Sequence, residues 1–163
     1  MWFELRPEGL DFLRRAPVVH TFATTVTATP VAIFPTLTDP RTWPEWFPGV
    51  RAASYTGPPP YGIGTIREAH VGGTRWVEAL IAWDDSRRWA YTVLRSSVPL
   101  AYAQVESFEL EAVDDGTRIR WTLACEPRLL MRLGAPFAPR TIRRVFDGAM
   151  RNLGVYLQHR VPT

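Results

Sequence analysis

The sequence predicts an α+β domain: a curved antiparallel sheet of about six or seven strands around one long C-terminal helix, with two short helices after the first strand. Three observations carry this. Two helix-start signals, Thr29-Pro30 and Asp39-Pro40, follow one strand-like segment. Strand-patterned text broken by tight turns then fills Val50–Glu126, and a helical apolar stripe over Thr141–His159 closes the chain.

Taken in order, Val18–Ala28 is rich in Thr and Val and places His20, Phe22 and Val26 on one face of a strand. Threonine then proline reads as an N-cap followed by proline at the first helical position, where its missing N–H costs nothing. Asp39-Pro40 repeats the signal for a second short helix carrying Trp43, Trp46 and Phe47, which Pro48-Gly49 ends. Pro35 falls inside the first helix and is expected to kink or shorten it. Strands are expected at Gly64–Val71, Thr74–Asp84, Arg88–Arg95, Leu100–Val113 and Thr117–Glu126. Gly72-Gly73, Asp84-Asp85-Ser86, Ser96–Pro99 and Asp115-Gly116 turn the chain between them. Pro58-Pro59-Pro60 forms a stiff loop, and Pro136 and Pro139 precede the last helix. There Ile142, Val145, Phe146, Ala149, Leu153, Tyr156 and Leu157 recur at spacings of three and four, with Arg140, Arg143, Arg144 and Arg151 mostly off the stripe. Such a helix must bury its stripe, and the sheet is the large partner available.

Composition excludes several classes of function. With 163 residues, 46% apolar and 21% charged, the chain is about one domain and able to bury a core. No apolar run approaches the roughly 20 residues of a membrane span, and Met1–Arg15, carrying Glu4, Glu8 and Asp11, does not read as a signal peptide. A soluble cytoplasmic protein is the expectation. All 19 basic residues are arginine, so Schiff-base and Walker-type lysines are excluded. A net charge of +3 falls short of a nucleic-acid signature. Cys125 is the single cysteine, which excludes an intrachain disulfide and a cysteine metal cluster and suits a small buried side chain. His20, His70 and His159 lack metal-ligand spacing. Neither HExxH, CxxC nor GxSxG occurs, and Tyr61-Gly62-Ile63-Gly64 opens no helix, so no metal or cofactor is expected.

Hairpin arithmetic assigns faces. A two-residue turn at Asp115-Gly116 pairs Leu110 with Trp121, Phe108 with Leu123 and Glu106 with Cys125, and period two brings Tyr102 and Gln104 onto that apolar, inward side. Around Gly72-Gly73, His70 meets Arg75, Glu68 meets Val77, Ile66 meets Ala79 and, on the opposite face, Arg67 meets Glu78. Pattern does not choose between these two faces. The Arg67–Glu78 pair suits a surface, which favours the Glu68, His70 and Trp83 face as the inward one.

This order of elements resembles the START-like, or SRPBCC, superfamily, in particular its polyketide cyclase/dehydrase and lipid-transport group. Three stretches carry the likeness: Ala28–Val50 with Asp-Pro and Trp-Pro-Glu-Trp, Trp83–Tyr91, and Asp115–Trp121. It spans about residues 18 to 160, leaving 1–17 as an extension with a short helix over Leu10, Phe12 and Leu13, and 18–163 as one ligand-binding domain. The resemblance implies a helix-grip fold, with a cavity between sheet and C-terminal helix that holds lipids, polyketides, sterols, quinones or aromatic hormones. Some members catalyse cyclisation or dehydration there; others bind or carry.

Two functions follow as expectations. As a binder or carrier of a small hydrophobic molecule, the protein would line its cavity with Trp46, Glu68, Trp83, Tyr102, Gln104, Glu106, Phe108, Trp121, Phe146 and Met150. As a cyclase, aromatase or dehydratase it would need a convergent acid/base set, for which Glu68, His70, Tyr102 and Glu106 are the candidates. Binding is favoured, because no complete catalytic constellation is legible. Each residue also has a plainer reading: His70 as a rim histidine beside a turn, the glutamates as partners of arginines at the cavity mouth, and the seven tryptophans as core filling. A module whose cavity has collapsed around its own tryptophans is a third possibility. The arginines of the last helix read as a solvated face, with contact to an anionic membrane as the lesser alternative.

Overall fold

The computed structural model describes residues 1–128 and 138–160. Its elements are β1 (Phe3–Glu4), α1 (Phe12–Arg15), β2 (Val18–Val26), α2 (Pro30–Thr38), a 3-10 turn (Pro40–Thr42), α3 (Trp43–Trp46), β3 (Val50–Tyr55), β4 (Ile66–Val71), β5 (Thr74–Asp84), β6 (Arg88–Ser96), β7 (Ala101–Val113), β8 (Gly116–Pro127) and α4 (Ala138–Arg160). Pro136, expected just ahead of the last helix, lies outside the described residues.

Seven strands form one curved antiparallel sheet in the order β2-β8-β7-β6-β5-β4-β3. β1 adds an eighth by pairing Phe3 and Glu4 with Ser96 and Arg95, beyond the end of the β6–β7 ladder. The helical starts form as their sequences dictate. Thr29 accepts a hydrogen bond from the Ala32 N–H, and Asp39 accepts one from the Arg41 N–H. Pro35 does not shorten α2, which continues to Thr38; the Thr38 hydroxyl bonds back to the Phe34 carbonyl in the last turn.

The hairpin at Gly72-Gly73 has the expected register, with His70 opposite Arg75 and Arg67 opposite Glu78. The β7–β8 hairpin differs. Val113 pairs with Gly116, so the turn is Asp114-Asp115, and Phe108 faces Trp121 while Glu106 faces Leu123. The pairing moves by two residues, which preserves the face of every side chain because the strand period is two. Gly116 explains the position: at φ 138° it passes so close to β2 that a Cβ would lie 2.0 Å from the Val26 carbonyl oxygen.

α4 packs along β2 and α3 and buries Ala149, Met150, Leu153 and Leu157. Val145, expected on that stripe, is 41% exposed. Between helices and sheet lies an aromatic core: Phe108 stacks on Trp121 at 4.5 Å, and Trp121 meets Phe146 at 4.4 Å. Trp43 and Trp46 join it with ring centroids 4.7 Å apart. The N-terminal segment folds around one end of the sheet. Leu5 joins Val93, Leu123 and Cys125, while Phe12 covers Ala103, Val105 and Ala124 on the face turned away from α4.

Candidate functional site

A cavity of about 210 Å³ opens between the sheet and the first half of α4. Trp43, Phe47, Trp76, Leu100, Leu123, Cys125, Ile142, Val145 and Phe146 supply its apolar wall. Its polar wall is Arg67 of β4, Glu78 of β5, Tyr91 of β6, and Gln104 and Glu106 of β7, one strand after another across the sheet.

All of these groups but the half-buried Gln104 are buried, and contacts link them. Arg67 and Glu78 are 1% and 5% exposed, and Nη1 of Arg67 donates to Oε2 of Glu78 at 3.0 Å. The guanidinium carbon of Arg67 lies 3.9 Å from the centre of the Trp43 ring, with Trp89 and Tyr91 each 5.3 Å away. Trp43 is fixed in turn by its indole N–H, which donates to the Leu37 carbonyl at 3.0 Å. Arg67 is therefore caged by aromatic faces, the environment in which a desolvated guanidinium gains most from cation–π attraction. Glu106 accepts from Nε2 of Gln104 at 2.7 Å and from Nε1 of Trp121 at 2.8 Å, with the Tyr91 hydroxyl donating toward it from the facing strand.

Burial acts on every member. It pushes the Glu78 carboxyl up to about 7, against the pull of Arg67 and with the added repulsion of Glu106. Glu106 is also raised by burial, while its donors from Tyr91, Gln104 and Trp121 and the Arg67 charge draw it back. For Arg67 burial opposes the charge most strongly, but Glu78 first, then Tyr91, Tyr55 and Glu106, outweigh it and keep the guanidinium protonated. Burial, followed by the Glu106 charge, lifts the Cys125 thiol to about 11. Such a thiol is no nucleophile near neutral pH. The cluster holds two carboxylates against one guanidinium, with Glu78 poised to gain or lose a proton.

The structure reverses the inward face of β4 and β5. Glu68 and His70 are exposed, whereas Arg67, Ala69, Trp76 and Glu78 line the cavity. The pair assigned to the surface is the polar heart of the interior, since a guanidinium and carboxylate can be buried together when each neutralises the other. Trp83 is half-buried on a separate, more open hollow with Tyr55 and Tyr61, packing against the edge of Phe34. Tyr102 is 47% exposed beneath Arg128, next to the pairing irregularity between Ala101 and Ala103 that turns it outward. Trp46, Phe108, Trp121 and Met150 are sealed in the core behind the cavity. Of the expected residues, Gln104, Glu106 and Phe146 line it. Among the described residues no His, Cys, Asp or Glu cluster has the makings of a metal site, and no helix is long and apolar enough to cross a membrane.

Comparison with known proteins agrees with this architecture. Residues 18–158 match the family described as polyketide cyclase/dehydrase and lipid transport. Uncharacterized proteins of Mycobacterium tuberculosis and Mycobacterium bovis are 32% identical over 117 residues, covering 71% of this chain and 70% of theirs. Among solved structures, the ZhuI aromatase/cyclase of a Streptomyces species superposes with a TM-score of 0.75 at 16% identity, over 90% of this chain and 96% of that one. A START superfamily protein of Mycobacterium smegmatis gives 0.61 at 13% identity, over 83% and 98%. With a helix-grip architecture and a match across nearly its whole length, the chain belongs to the polyketide cyclase/dehydrase and lipid-transport family.

Proposed function

We propose that the protein binds or carries a small, largely apolar molecule with one polar group, held in the cavity between the sheet and α4. The observation that carries this reading is the buried Arg67–Glu78 pair standing, with Tyr91, Gln104 and Glu106, on one wall of a cavity that is apolar on its other sides. Apolar walls with a few fixed polar groups are what orient a ligand of this kind. Native mass spectrometry of protein purified from its own host is the direct test. A co-purifying apolar compound is expected; a crystal structure with the cavity filled by protein side chains would overturn the reading.

A second reading, acid/base catalysis of the cyclase or dehydratase type, draws support from Glu78, whose carboxyl sits near 7 on the cavity wall. Binding is preferred because the acid/base set does not converge. Glu68, His70 and Tyr102 face away from the cavity, and both oxygens of Glu106 already accept hydrogen bonds. Loss of turnover in Glu78→Gln, for any substrate found, with binding retained would favour catalysis instead.

A further inference from the structure

Resting on the reading that the cavity encloses a small apolar molecule, we infer that Glu78 selects its class: a neutral aromatic of one or two rings whose hydroxyl donates to Glu78, with carboxylates excluded. Size comes first. A dry cavity of about 150 Å³ accepts benzene, so the 210 Å³ here suits one or two rings. Trp43, Phe47, Trp76 and Phe146 offer aromatic surface for them.

Charge decides the polar group. Among the described residues the charged side chains on the cavity are Arg67, Glu78 and Glu106. A bound carboxylate would be a third acid against one guanidinium, which already bonds Glu78 through Nη1 at 3.0 Å over the Trp43 ring and whose unpartnered Nε–H is sealed from solvent. In a poorly solvated site such repulsion is screened little. An ammonium group would offset the surplus carboxylate, but at Glu78 it would stand against Arg67 and would have lost its own water. A hydroxyl carries no charge and supplies the donor that is wanted.

The two carboxylates differ in what they have to offer. Glu106 has both oxygens occupied, by Gln104 and by Trp121. Glu78 is bonded through Oε2, and its Oε1 has no donor among the described residues and is not one of the sealed interior atoms. That oxygen is the acceptor presented to a ligand.

The test is a ligand-observed NMR titration at about pH 8, above the midpoint of Glu78, with toluene, p-cresol, p-toluate and 4-methylbenzylamine. p-Cresol is expected to bind about tenfold or more tighter than toluene, the effect of a hydrogen bond to a charged acceptor, and tighter than the acid and the amine. In Glu78→Gln the p-cresol advantage shrinks several-fold and p-toluate gains, since one negative charge is gone and Arg67 is released. The wild-type series decides alone if that variant does not fold. Equal binding of toluene and p-cresol, or tighter binding of p-toluate or the amine, would overturn this inference and leave the enclosing cavity standing. Failure of every probe to bind would overturn both.

Discussion

The guanidinium of Arg67 is 3.9 Å from the ring centre of Trp43. This contact ties the Trp-Pro-Glu-Trp helix to the charged wall of the cavity: α3 supplies the aromatic floor, β4 the cation, and β5 the carboxylate that neutralises it. A helix placed for packing thereby positions the polar group of the site.

Arg67→Met is expected to lower stability by about 3–5 kcal/mol, the cost of leaving one member of a buried ion pair without its partner. The double variant Arg67→Met, Glu78→Met recovers most of that loss, because two apolar side chains of similar volume need no compensation. Urea denaturation of the single and double variants checks it. A double variant no more stable than Arg67→Met would show that the pair is not the source of the penalty.

The pH dependence follows from Glu78. Its carboxyl sits at about 7 in the folded protein against 4.5 when exposed, so between those values the folded state holds the proton that the unfolded state has released. Stability falls as pH rises across that window and levels off above it, by about 2–4 kcal/mol in all. Glu106 is raised too and acts with the same sign. Glu8, Asp11 and Asp39 are lowered, chiefly by hydrogen bonds from Arg6, Arg15 and Arg41 respectively. Their contributions are lost as pH falls through the ordinary carboxylate range, below the window in question. Thermal melts from pH 5 to pH 8 should decline in the wild type, and flatten in Glu78→Gln.

How far the sequence carried this site depends on what each pattern encodes. Proline caps and glycine turns act locally, so Thr29-Pro30, Asp39-Pro40 and Gly72-Gly73 placed their elements, and the last hairpin slipped by an even step that kept Phe108 and Trp121 inward. The face of β4 and β5 was not legible, because burial of Arg67 and Glu78 depends on Trp43 and Tyr91 from distant elements. The pairing of Arg67 with Glu78 was readable, and so was the run Arg67, Ala69, Val71 beside Trp76 and Leu80, which is more apolar than Glu68 and His70 beside Arg75. That contrast was the available signal. It is masked by the general rarity of fully buried charged side chains.

Phe12 tests the N-terminal segment. It is 1% exposed over Ala103, Val105 and Ala124, on the sheet face opposite the cavity. Phe12→Ala is expected to cost about 3–5 kcal/mol, through lost burial and the void left over small side chains. Affinity for p-cresol should not change, because none of the residues around Phe12 lines the cavity. Denaturation and titration on the same sample separate the two effects. A matching loss of affinity would mean that the outer face and the cavity are coupled through the sheet.

Glu106 is a buried acceptor. Every neighbour that bonds it is a donor: Gln104 at one oxygen, Trp121 at the other, and Tyr91 from β6. Glu106→Gln is isosteric but replaces one acceptor oxygen with an NH2 group. Gln104 can turn its amide and offer its oxygen instead, whereas the indole N–H of Trp121 has no acceptor form. The substituted amide is therefore expected to keep its oxygen toward Trp121 and its NH2 toward Gln104. The net loss is about 1–3 kcal/mol for weakened charge-assisted hydrogen bonds, reduced by the burial cost that no longer applies to a neutral side chain. Glu106→Leu removes the acceptor altogether, strands the Trp121 N–H at a site with no solvent access, and should be the less stable of the two. Chemical denaturation ranks the variants, and the indole N–H resonance of Trp121 in nitrogen-15-labelled protein reports whether it keeps its partner. If Glu106→Leu proves as stable as Glu106→Gln, the hydrogen bond from Trp121 is not what holds this carboxylate in the interior.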